Sequence, residues 1–322
     1  MIKISRRVFN ASALAAFCAP GMALAQNNYP TQPVRVVIPF GPGGSTDAVT
    51  LPILNLLADR LGQPFVAENR GGAGSVIGTT QVANSAADGY TLLSTTASFV
   101  TAPIAQATSF TLDAFAPVAM LCQSPFLIMV PKDSPAETIQ DLIQMAQESD
   151  GNMLYATAGV GSSTHFASEY FNMVAGSKVQ HVPYDGIGSA MLGVIGGDVQ
   201  MIITTHPSAA AQLADGSVRL LAYTSEGKPE DAPDAPTMRE AGLDYDVASW
   251  WAMFAPAETP RDILETLNST INEALKSPEI ATIYARSGTN PSPMGIDELG
   301  ERVAGESEKF KRVAEFAGLS QG

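Results

Sequence analysis

Four glycine-rich loops, each placed ahead of a helical pattern, constrain the fold of this 322-residue chain more than any other feature. They cover residues 38–47, 71–75, 158–165 and 185–189. Short apolar runs alternate with helical patterns along most of the chain, as expected for an α/β protein with largely parallel sheets. In such sheets ligands bind outside the carboxyl ends of the strands, so the sequence predicts that the four loops line one cleft.

The apolar runs predict strands, and amphipathic spacing predicts the helices that follow them. The predicted strands cover residues 34–39, 90–94, 126–130, 153–157, 199–204 and 219–223. Thr138 and Asp141 have the spacing of a capping box, and the apolar positions of residues 139–146 repeat as one buried helix face. This pattern predicts a helix that begins directly after Thr138.

Three more helices are predicted near the end of the chain. Thr259 is expected to cap one of them, with Pro260 as its first helical residue. Ser277 is expected to cap the next helix in the same way, and apolar spacing predicts a last helix over residues 299–313.

The first glycine loop contains no lysine or arginine, which limits what it can bind. A nucleotide phosphate loop needs a lysine after its last glycine, and Asp47 stands where a dinucleotide-binding motif needs a glycine. Either Ser45 or Thr46 can cap the following helix, whose free N–H groups can hold a carboxylate without a basic side chain. A plain tight turn is the alternative interpretation.

The first 25 residues have the pattern of a cleaved signal peptide. Lys3, Arg6 and Arg7 precede a mostly apolar stretch that ends in an Ala-Leu-Ala cleavage sequence at residues 23–25. Residues 5–9 fit a twin-arginine signal, but the next residue is polar, so both export routes stay open. Bulky Phe17 before Cys18 disfavours a lipid anchor, and we expect an exported periplasmic protein.

Charge and cysteine content exclude several classes of protein. Loss of the three basic residues of the signal peptide would change the net charge from −14 to −17, which makes nucleic acid an improbable partner. Cys122 would then be the single thiol, so neither a disulfide within the chain nor a cysteine-cluster metal site is expected. The spacing of His165, His181 and His206 matches no zinc motif, and we expect no metal and no cofactor.

A secreted serine hydrolase that uses Ser162 or Ser163 with His165 is an alternative of another class. The sequence has no G-x-S-x-G motif, and side chains two or three residues apart at a helix start rarely adopt nucleophile–base geometry. We therefore expect a binding protein and not an enzyme. His165 has two interpretations within that class, a donor to a bound carboxylate or a local cap.

An ordered set of short stretches then resembles a known family. It includes GGSTD, LGQP, ENR and DGYTL in the first hundred residues. The matching residues are 33–40, 43–47, 61–64, 68–70, 88–92, 113–118, 159–165, 181–184, 218–222, 236–237, 240–242 and 249–250. In these stretches the chain resembles the periplasmic receptors of tripartite tricarboxylate transporters, also called Bug proteins.

This resemblance implies a type II periplasmic binding protein fold, with two α/β lobes joined by crossing strands and the ligand cleft between them. Residues 26–124 and 251–322 would form the first lobe, and residues 125–250 the second. The implied function is capture of a small organic carboxylate by lobe closure and delivery to the permease subunits of the transporter. We expect a monomer, and a membrane sensor in place of the permease is the alternative partner.

The resemblance also implies which residues contact the ligand. The first lobe would contribute Phe40, Gly43, Gly44, Ser45, Thr46, Asp47, Ser94, Thr95, Thr96 and Ala97. The second lobe would contribute Gly159, Gly161, Ser162, Ser163, Thr164, His165, Tyr184, Asp185, Gly186, Thr205 and His206. Trp250 and Trp251 are interpreted either as an aromatic wall of the cleft or as packing where the lobes meet.

Three positions depart from the family pattern. Asp185 lies where the family very often has a lysine, and if it faces the ligand a tricarboxylate is less favoured. Pro52 falls inside the predicted first helix, which implies a kink or a later start near Leu51. Residues 227–229 lack an arginine that is often found there.

Overall fold

The computed structural model describes residues 29–225 and 233–319 as an α/β protein. The predicted signal peptide and residues 227–229 lie outside the described ranges. The strands are β1 Val34–Ile38, β2 Phe65–Asn69, β3 Thr91–Thr96, β4 Phe115–Pro131, β5 Leu154–Thr157, β6 Gln180–Pro183, β7 Met201–Thr205, β8 Val218–Tyr223, β9 Ala248–Pro256 and β10 Asn290–Pro291. The α-helices are α1 Ser45–Leu61, α2 Val76–Ala83, α3 Ser98–Ala105, α4 Ile139–Glu148, α5 Ser163–Ala175, α6 Ile187–Ile195, α7 His206–Ala214, α8 Arg261–Leu275, α9 Pro278–Arg286 and α10 Ile296–Ala317.

Strand β4 belongs to two sheet regions, and β9 pairs with it in the first of them. In the first region the order is β2-β1-β3-β9-β4, and β10 pairs with the other edge of β4. In the second region the order is β8-β4-β7-β5-β6. Strands β1, β2 and β3 run parallel, as do β5, β6 and β7. The carboxyl ends of both parallel sets can therefore face one space between the regions.

The register of β4 locates the crossing between the two regions. Its first part pairs antiparallel with β9, from Phe115 opposite Pro256 to Pro125 opposite Ala248. From Phe126 onward β4 pairs with β7 and β8 instead. The expected fold class, two α/β lobes joined by crossing strands, is confirmed. The exact division of the chain into lobes stays a prediction.

Buried apolar clusters cover the faces of both sheet regions. Helices α1, α8 and α9 contribute to a cluster that includes Trp251 and Tyr284. Helix α10 packs against α5, where the rings of Phe310 and Phe166 meet edge to face with centroids 5.5 Å apart. Cys122 is fully buried within the same cluster as Trp251, and burial raises the pKa of its thiol. It is therefore a packed apolar side chain and not a reactive thiol.

Of the N-caps predicted at Thr138, Ser277 and Thr259, the first two are present in the structure and the third is not. The capping box of Thr138 and Asp141 is present, and Ser277 accepts the N–H of Ile280. The prediction for Thr259 is wrong: Pro260 is the N-cap residue, and the Thr259 hydroxyl donates to the carbonyl of Pro256 instead.

Helix α1 runs from Ser45 through Pro52 to Leu61, so the later start near Leu51 is wrong. Because proline lacks an N–H, the ring at this position removes one hydrogen bond from the helix without ending it. Within residues 29–225 and 233–319, no helix is both long and apolar enough to cross a membrane.

Candidate functional site

A cleft of about 1110 Å³ lies between the two sheet regions, and all four glycine loops line it. The predicted residues found in its lining are Phe40, Gly43, Gly44, Ser45, Thr46, Thr96, Gly159, Ser162, Ser163, Thr164, Tyr184, Asp185, Gly186 and Thr205. The convergence that the sequence predicts is therefore present. Contact of these residues with a ligand stays a prediction.

The first loop presents the free N-terminus of α1 to the cleft. Gly44 is the N-cap residue and Ser45 the first helical residue, so the expectation that Ser45 or Thr46 caps the helix is wrong. Since glycine has no capping side chain, the first-turn N–H groups keep their capacity to bind a ligand. Asp47 lies behind the loop, where its carboxylate accepts the N–H of Gly43 and, at 2.8 Å, the side-chain amide of Asn69.

The second loop has an unusual backbone. Gly72, Ala73, Gly74 and Ser75 all have positive φ angles, of 127°, 50°, 62° and 94°. Such angles are costly for alanine and serine, and strain of this kind concentrates at functional sites. A Cβ atom on Gly74 would lie 2.5 Å from the carbonyl oxygen of Val160, so this loop touches the third loop closely.

The third loop is held by its own hydrogen bonds and by the first lobe. The hydroxyl of Ser162 donates to the carbonyl of Gly159 at 2.7 Å and accepts the backbone N–H of His165. From the opposite side of the cleft, Thr101 donates its hydroxyl hydrogen to the carbonyl of Gly161 at 2.7 Å. These hydrogen bonds fix the conformation of the third loop, and the bond from Thr101 connects the loop to the opposite side of the cleft.

The fourth loop opens α6 at the rim of the cleft. Gly186 is its N-cap residue, with φ 135° and no capping side chain. Asp185 is exposed beside it, and the Tyr184 ring packs against Gly193 of the same helix. Thr205 is the N-cap residue of α7 without a capping hydrogen bond from its side chain, and its hydroxyl lies 3.2 Å from that of Ser208.

Six helices begin at this cleft, which sets its electrostatic character. Residues at or next to the N-termini of α1, α2, α3, α5, α6 and α7 all line it. Among the described lining residues none is lysine, arginine or histidine, and the single ionisable carboxylate is that of Asp185. Each helix N-terminus carries roughly half a positive charge, so the cleft attracts an anion through peptide dipoles.

Seven of the predicted residues lie outside the lining of the cleft. They are Asp47, Ser94, Thr95, Ala97, Gly161, His165 and His206. The Ser94 hydroxyl is buried against that of Thr50 at 2.7 Å, and Gly161 faces Ala102 of α3. His206 packs on Gly288. In this structure these residues support the walls, and their contact with a ligand stays a prediction.

His165 belongs to a buried aromatic stack behind the third loop. Its ring stacks on that of His181 with centroids 3.9 Å apart, and its Nδ1 atom accepts the N–H of Gly161 at 3.2 Å. Burial lowers the pKa of His165 to about 3 and that of His181 to about 4, so both rings are neutral. Tyr155 also stacks on His181, with centroids 5.2 Å apart, and donates its hydroxyl hydrogen to Glu169.

Several lining residues were not predicted from the sequence. Ser75, Ser98, Gln106, Thr204, Gln212, Ser249 and Trp251 all line the cleft. Trp251 is one of the two tryptophans whose interpretations include an aromatic wall, and Ser75 lies in the predicted loop of residues 71–75. The others carry no local signal, because only the packing of the lobes brings them to the cleft.

Most of the chain matches a known protein family. The model of the family described as tripartite tricarboxylate transporter family receptor matches residues 52–319. Protein BugT of Bordetella pertussis is 34% identical over 314 residues, covering 95% of this chain and 94% of that protein. A protein from a tcbD-tcbE intergenic region of a Pseudomonas strain is 32% identical over 312 residues, which cover 96% of this chain and 93% of that protein.

Three solved structures share the fold. Rpa4515 of R. palustris with adipate has a TM-score of 0.86 and 30% identity, covering 91% of this chain and 99% of that one. The periplasmic binding protein BugD has a TM-score of 0.84 and 29% identity, covering 91% and 100%. MatC of Rhodopseudomonas palustris with bound malate has a TM-score of 0.82 and 30% identity, covering 88% and 99%.

Proposed function

The chain belongs to the tripartite tricarboxylate transporter receptor family, and we propose that its cleft captures a small organic carboxylate for delivery to a membrane permease. Members of this family are periplasmic solute-binding receptors, the class of protein that the sequence predicts. The chain would act by binding alone, as a monomer, after export by the predicted signal peptide of residues 1–25.

One observation carries the proposal: six helix N-termini line a cleft whose described residues include no cationic side chain. Unpaired N–H groups at helix starts bind anions, and a carboxylate fits such a site. The similar structures of Rpa4515 and MatC contain adipate and malate, which supports a carboxylate as the ligand class. We propose that the predicted residues found in the lining make the contacts.

The lobes would close around the ligand as rigid bodies. We propose that the first lobe comprises residues 26–124 and 251–322 and the second residues 125–250, with the hinge where β4 changes partners after Pro125. Two hydrogen bonds support a closed arrangement, since Ser98 and Thr101 of α3 both contact the third loop. Closure by hinge motion excludes water and adds contacts from the second lobe.

Substitution of Gly44 tests the proposal directly. Gly44 has φ −82° and ψ 179°, and a Cβ atom there would meet only the carbonyl oxygen of Gly41, at 3.7 Å. Aspartate at this position is a favourable N-cap residue, so the fold is expected to tolerate it. Its carboxylate would occupy the anion site of α1 and repel the ligand.

The measurement is calorimetric titration of the mature protein with adipate, malate and straight-chain monocarboxylates. We expect Gly44→Asp to weaken binding of every carboxylate that the wild-type protein binds by more than about tenfold, because like charges meet at short range. The matched control is Gly44→Ala, which adds a side chain without a charge or a capping oxygen and should retain most of the affinity. Equal binding by both variants, or no carboxylate binding by the wild-type protein, would contradict the proposal.

A further inference from the structure

Helix α10 contacts both lobes, although the proposed division of the chain assigns it to the first. Its start packs on the first sheet region, where Ile296 belongs to the buried cluster of α8 and α9. The carboxylate of Asp297 pairs with the guanidinium of Arg261 on α8 at 2.9 Å. A Cβ atom on Gly300 would lie 3.6 Å from the ring of Pro117 on β4. The helix has 22 residues and is roughly 33 Å long, so it extends well beyond these contacts.

The second half of α10 packs on the second lobe. The ring of Phe310 meets that of Phe166 on α5 edge to face. The ammonium group of Lys309 donates to the carbonyl of Asp246 at 2.6 Å and lies 5.7 Å from the centre of the Tyr170 ring on α5. One helix therefore holds on to both sides of the proposed hinge.

Between these two ends, α10 is hydrogen-bonded to both crossing strands. The half-buried carboxylate of Glu306 accepts the indole N–H of Trp250 on β9, whose side chain is fully buried. One turn earlier, the guanidinium of Arg302 donates to the side-chain carbonyl of Gln123 on β4 at 3.4 Å. Gln123 and Trp250 pair opposite each other, directly before β4 changes partners after Pro125. Both bonds therefore hold α10 at the proposed hinge itself.

These contacts coexist with hydrogen bonds that cross the cleft. Ser98 of α3 bonds to Ser163 of α5, and Thr101 of α3 bonds to Gly161. Residues of α3, α5 and α10 also belong to one buried apolar cluster. A rigid helix cannot follow two lobes that rotate away from each other, so opening would separate α10 from one lobe or break the bonds at its middle. The contacts of α10 therefore favour the closed arrangement.

We propose that α10 is a brace across the hinge, and that Glu306, acting through Trp250, is a positioning residue that shifts the lobes toward the closed arrangement. Without the carboxylate, the indole N–H lacks an acceptor in the closed form. The closed form is then less populated, and ligand affinity falls in proportion. This inference rests on the proposed function and concerns the closing step, whatever carboxylate is bound.

Distances between two spin labels report the arrangement of the lobes directly. The labels are attached to Asn55→Cys on α1 and Leu192→Cys on α6, both at exposed positions. Cys122 is buried and stays unlabelled. Pulsed electron paramagnetic resonance of the mature protein, first without ligand and then at increasing adipate concentrations, gives the ratio of closed to open molecules. We expect Glu306→Leu to lower this ratio by about 3- to 10-fold, the effect of one hydrogen bond.

Matched variants separate positioning from a general loss of stability. Glu306→Gln keeps an oxygen acceptor for the indole, and its lobe distances and calorimetric affinity for adipate should stay within about twofold of the wild-type values. Ser177→Ala removes a buried hydrogen bond to Asn172 inside the second lobe, outside the cleft lining. In urea unfolding it should be less stable than the wild-type protein, with an unchanged ratio of closed to open molecules. Lys309→Met removes the bond to Asp246 and should lower the ratio by about twofold, which provides a second test if Glu306→Leu folds poorly.

The outcomes separate the brace from the binding function. If Glu306→Leu and Lys309→Met both keep the wild-type distances, α10 is not a brace, while carboxylate binding stands. If either variant closes more readily, α10 resists closure and the inference is overturned. If Glu306→Gln behaves like Glu306→Leu, the role of the bond to Trp250 is wrong. If calorimetry shows no carboxylate binding by the wild-type protein, the proposed function fails, and the distances without ligand still test the brace.

Discussion

The hydroxyl oxygen of Ser98, in the first turn of α3, accepts the backbone N–H of Ser163, in the first turn of α5, at 3.0 Å. These two helices start on opposite sides of the cleft, so the bond joins the lobes at the site itself. Thr96 donates to the same hydroxyl oxygen at 3.1 Å, which orients it toward the second lobe. The bond is therefore expected to exist only when the lobes are closed.

Replacement of Ser98 by alanine tests this dependence. We expect Ser98→Ala to weaken ligand binding by about 3- to 10-fold, since one hydrogen bond of the closed form is lost. Small-angle scattering with saturating adipate should show a larger fraction of open molecules than in the wild-type protein. Ser269→Ala is the matched control, because that hydroxyl bonds to a carbonyl within α8, far from the cleft in the sequence and in the fold. Unchanged affinity in Ser98→Ala would argue against a role in closure.

Asp47 is expected to act on binding without touching the ligand. Its carboxylate holds the N–H of Gly43 and the amide of Asn69, and so fixes the loop ahead of α1. Asp47→Asn keeps the shape but replaces one acceptor with a donor, which conflicts with the N–H groups that it faces. We expect the free energy of unfolding to fall by about 1–3 kcal/mol and the affinity by about tenfold.

Urea unfolding and calorimetry measure these two effects. The control is Asp59→Asn, which makes the same substitution at an exposed position of the same helix. Its stability should change by less than about 0.5 kcal/mol. If the two variants behave alike, the carboxylate of Asp47 does not organise the loop.

The histidine stack predicts how stability depends on pH. Burial keeps His165 and His181 neutral in the folded protein, with pKa values of about 3 and about 4, against an ordinary value of 6.5. In the unfolded chain both rings bind protons once the pH falls below about 6.5, which stabilises the unfolded state. The folded protein therefore has its full stability above pH 6.5 and loses stability as the pH falls from 6.5 toward 4. The slope is up to about 1.4 kcal/mol per pH unit for His165 and less for the half-buried His181.

Urea unfolding at pH 7, 6, 5 and 4 measures the slope. We expect His165→Asn to reduce it, since asparagine can still accept the N–H of Gly161 but does not titrate. Phe166→Leu is a control that also destabilises the buried core of the second lobe without removing a titrating group, so its slope should match that of the wild-type protein. Equal slopes in all three proteins would mean that other groups control the acid sensitivity.

The sequence predicts the local parts of the site better than the parts made by packing. Loops such as residues 43–47 are predictable because glycine, hydroxyl residues and a following helix are encoded within a few positions. The orientation of His165 is not predictable, because its ring in α5 stacks on that of His181 in β6. The apolar pattern predicts β4 only for residues 126–130, since prolines at 117 and 125 interrupt that pattern. Pairing with β9 nevertheless extends the strand back to Phe115.

Asp185 is expected to determine how the cleft distinguishes singly from doubly charged ligands. It is exposed at the rim, next to the N-cap residue of α6, and is the single carboxylate in the described lining. A second anionic group of the ligand would be repelled there. We expect Asp185→Lys to increase the affinity for adipate relative to hexanoate by about 3- to 10-fold at low salt, and by less at 0.5 M salt because exposed charges are screened.

Asp198→Lys, which makes the same change at an exposed position outside the lining, should leave this ratio unaltered. An equal shift in both variants would assign the effect to net charge, and no shift in either would place Asp185 out of reach of the ligand.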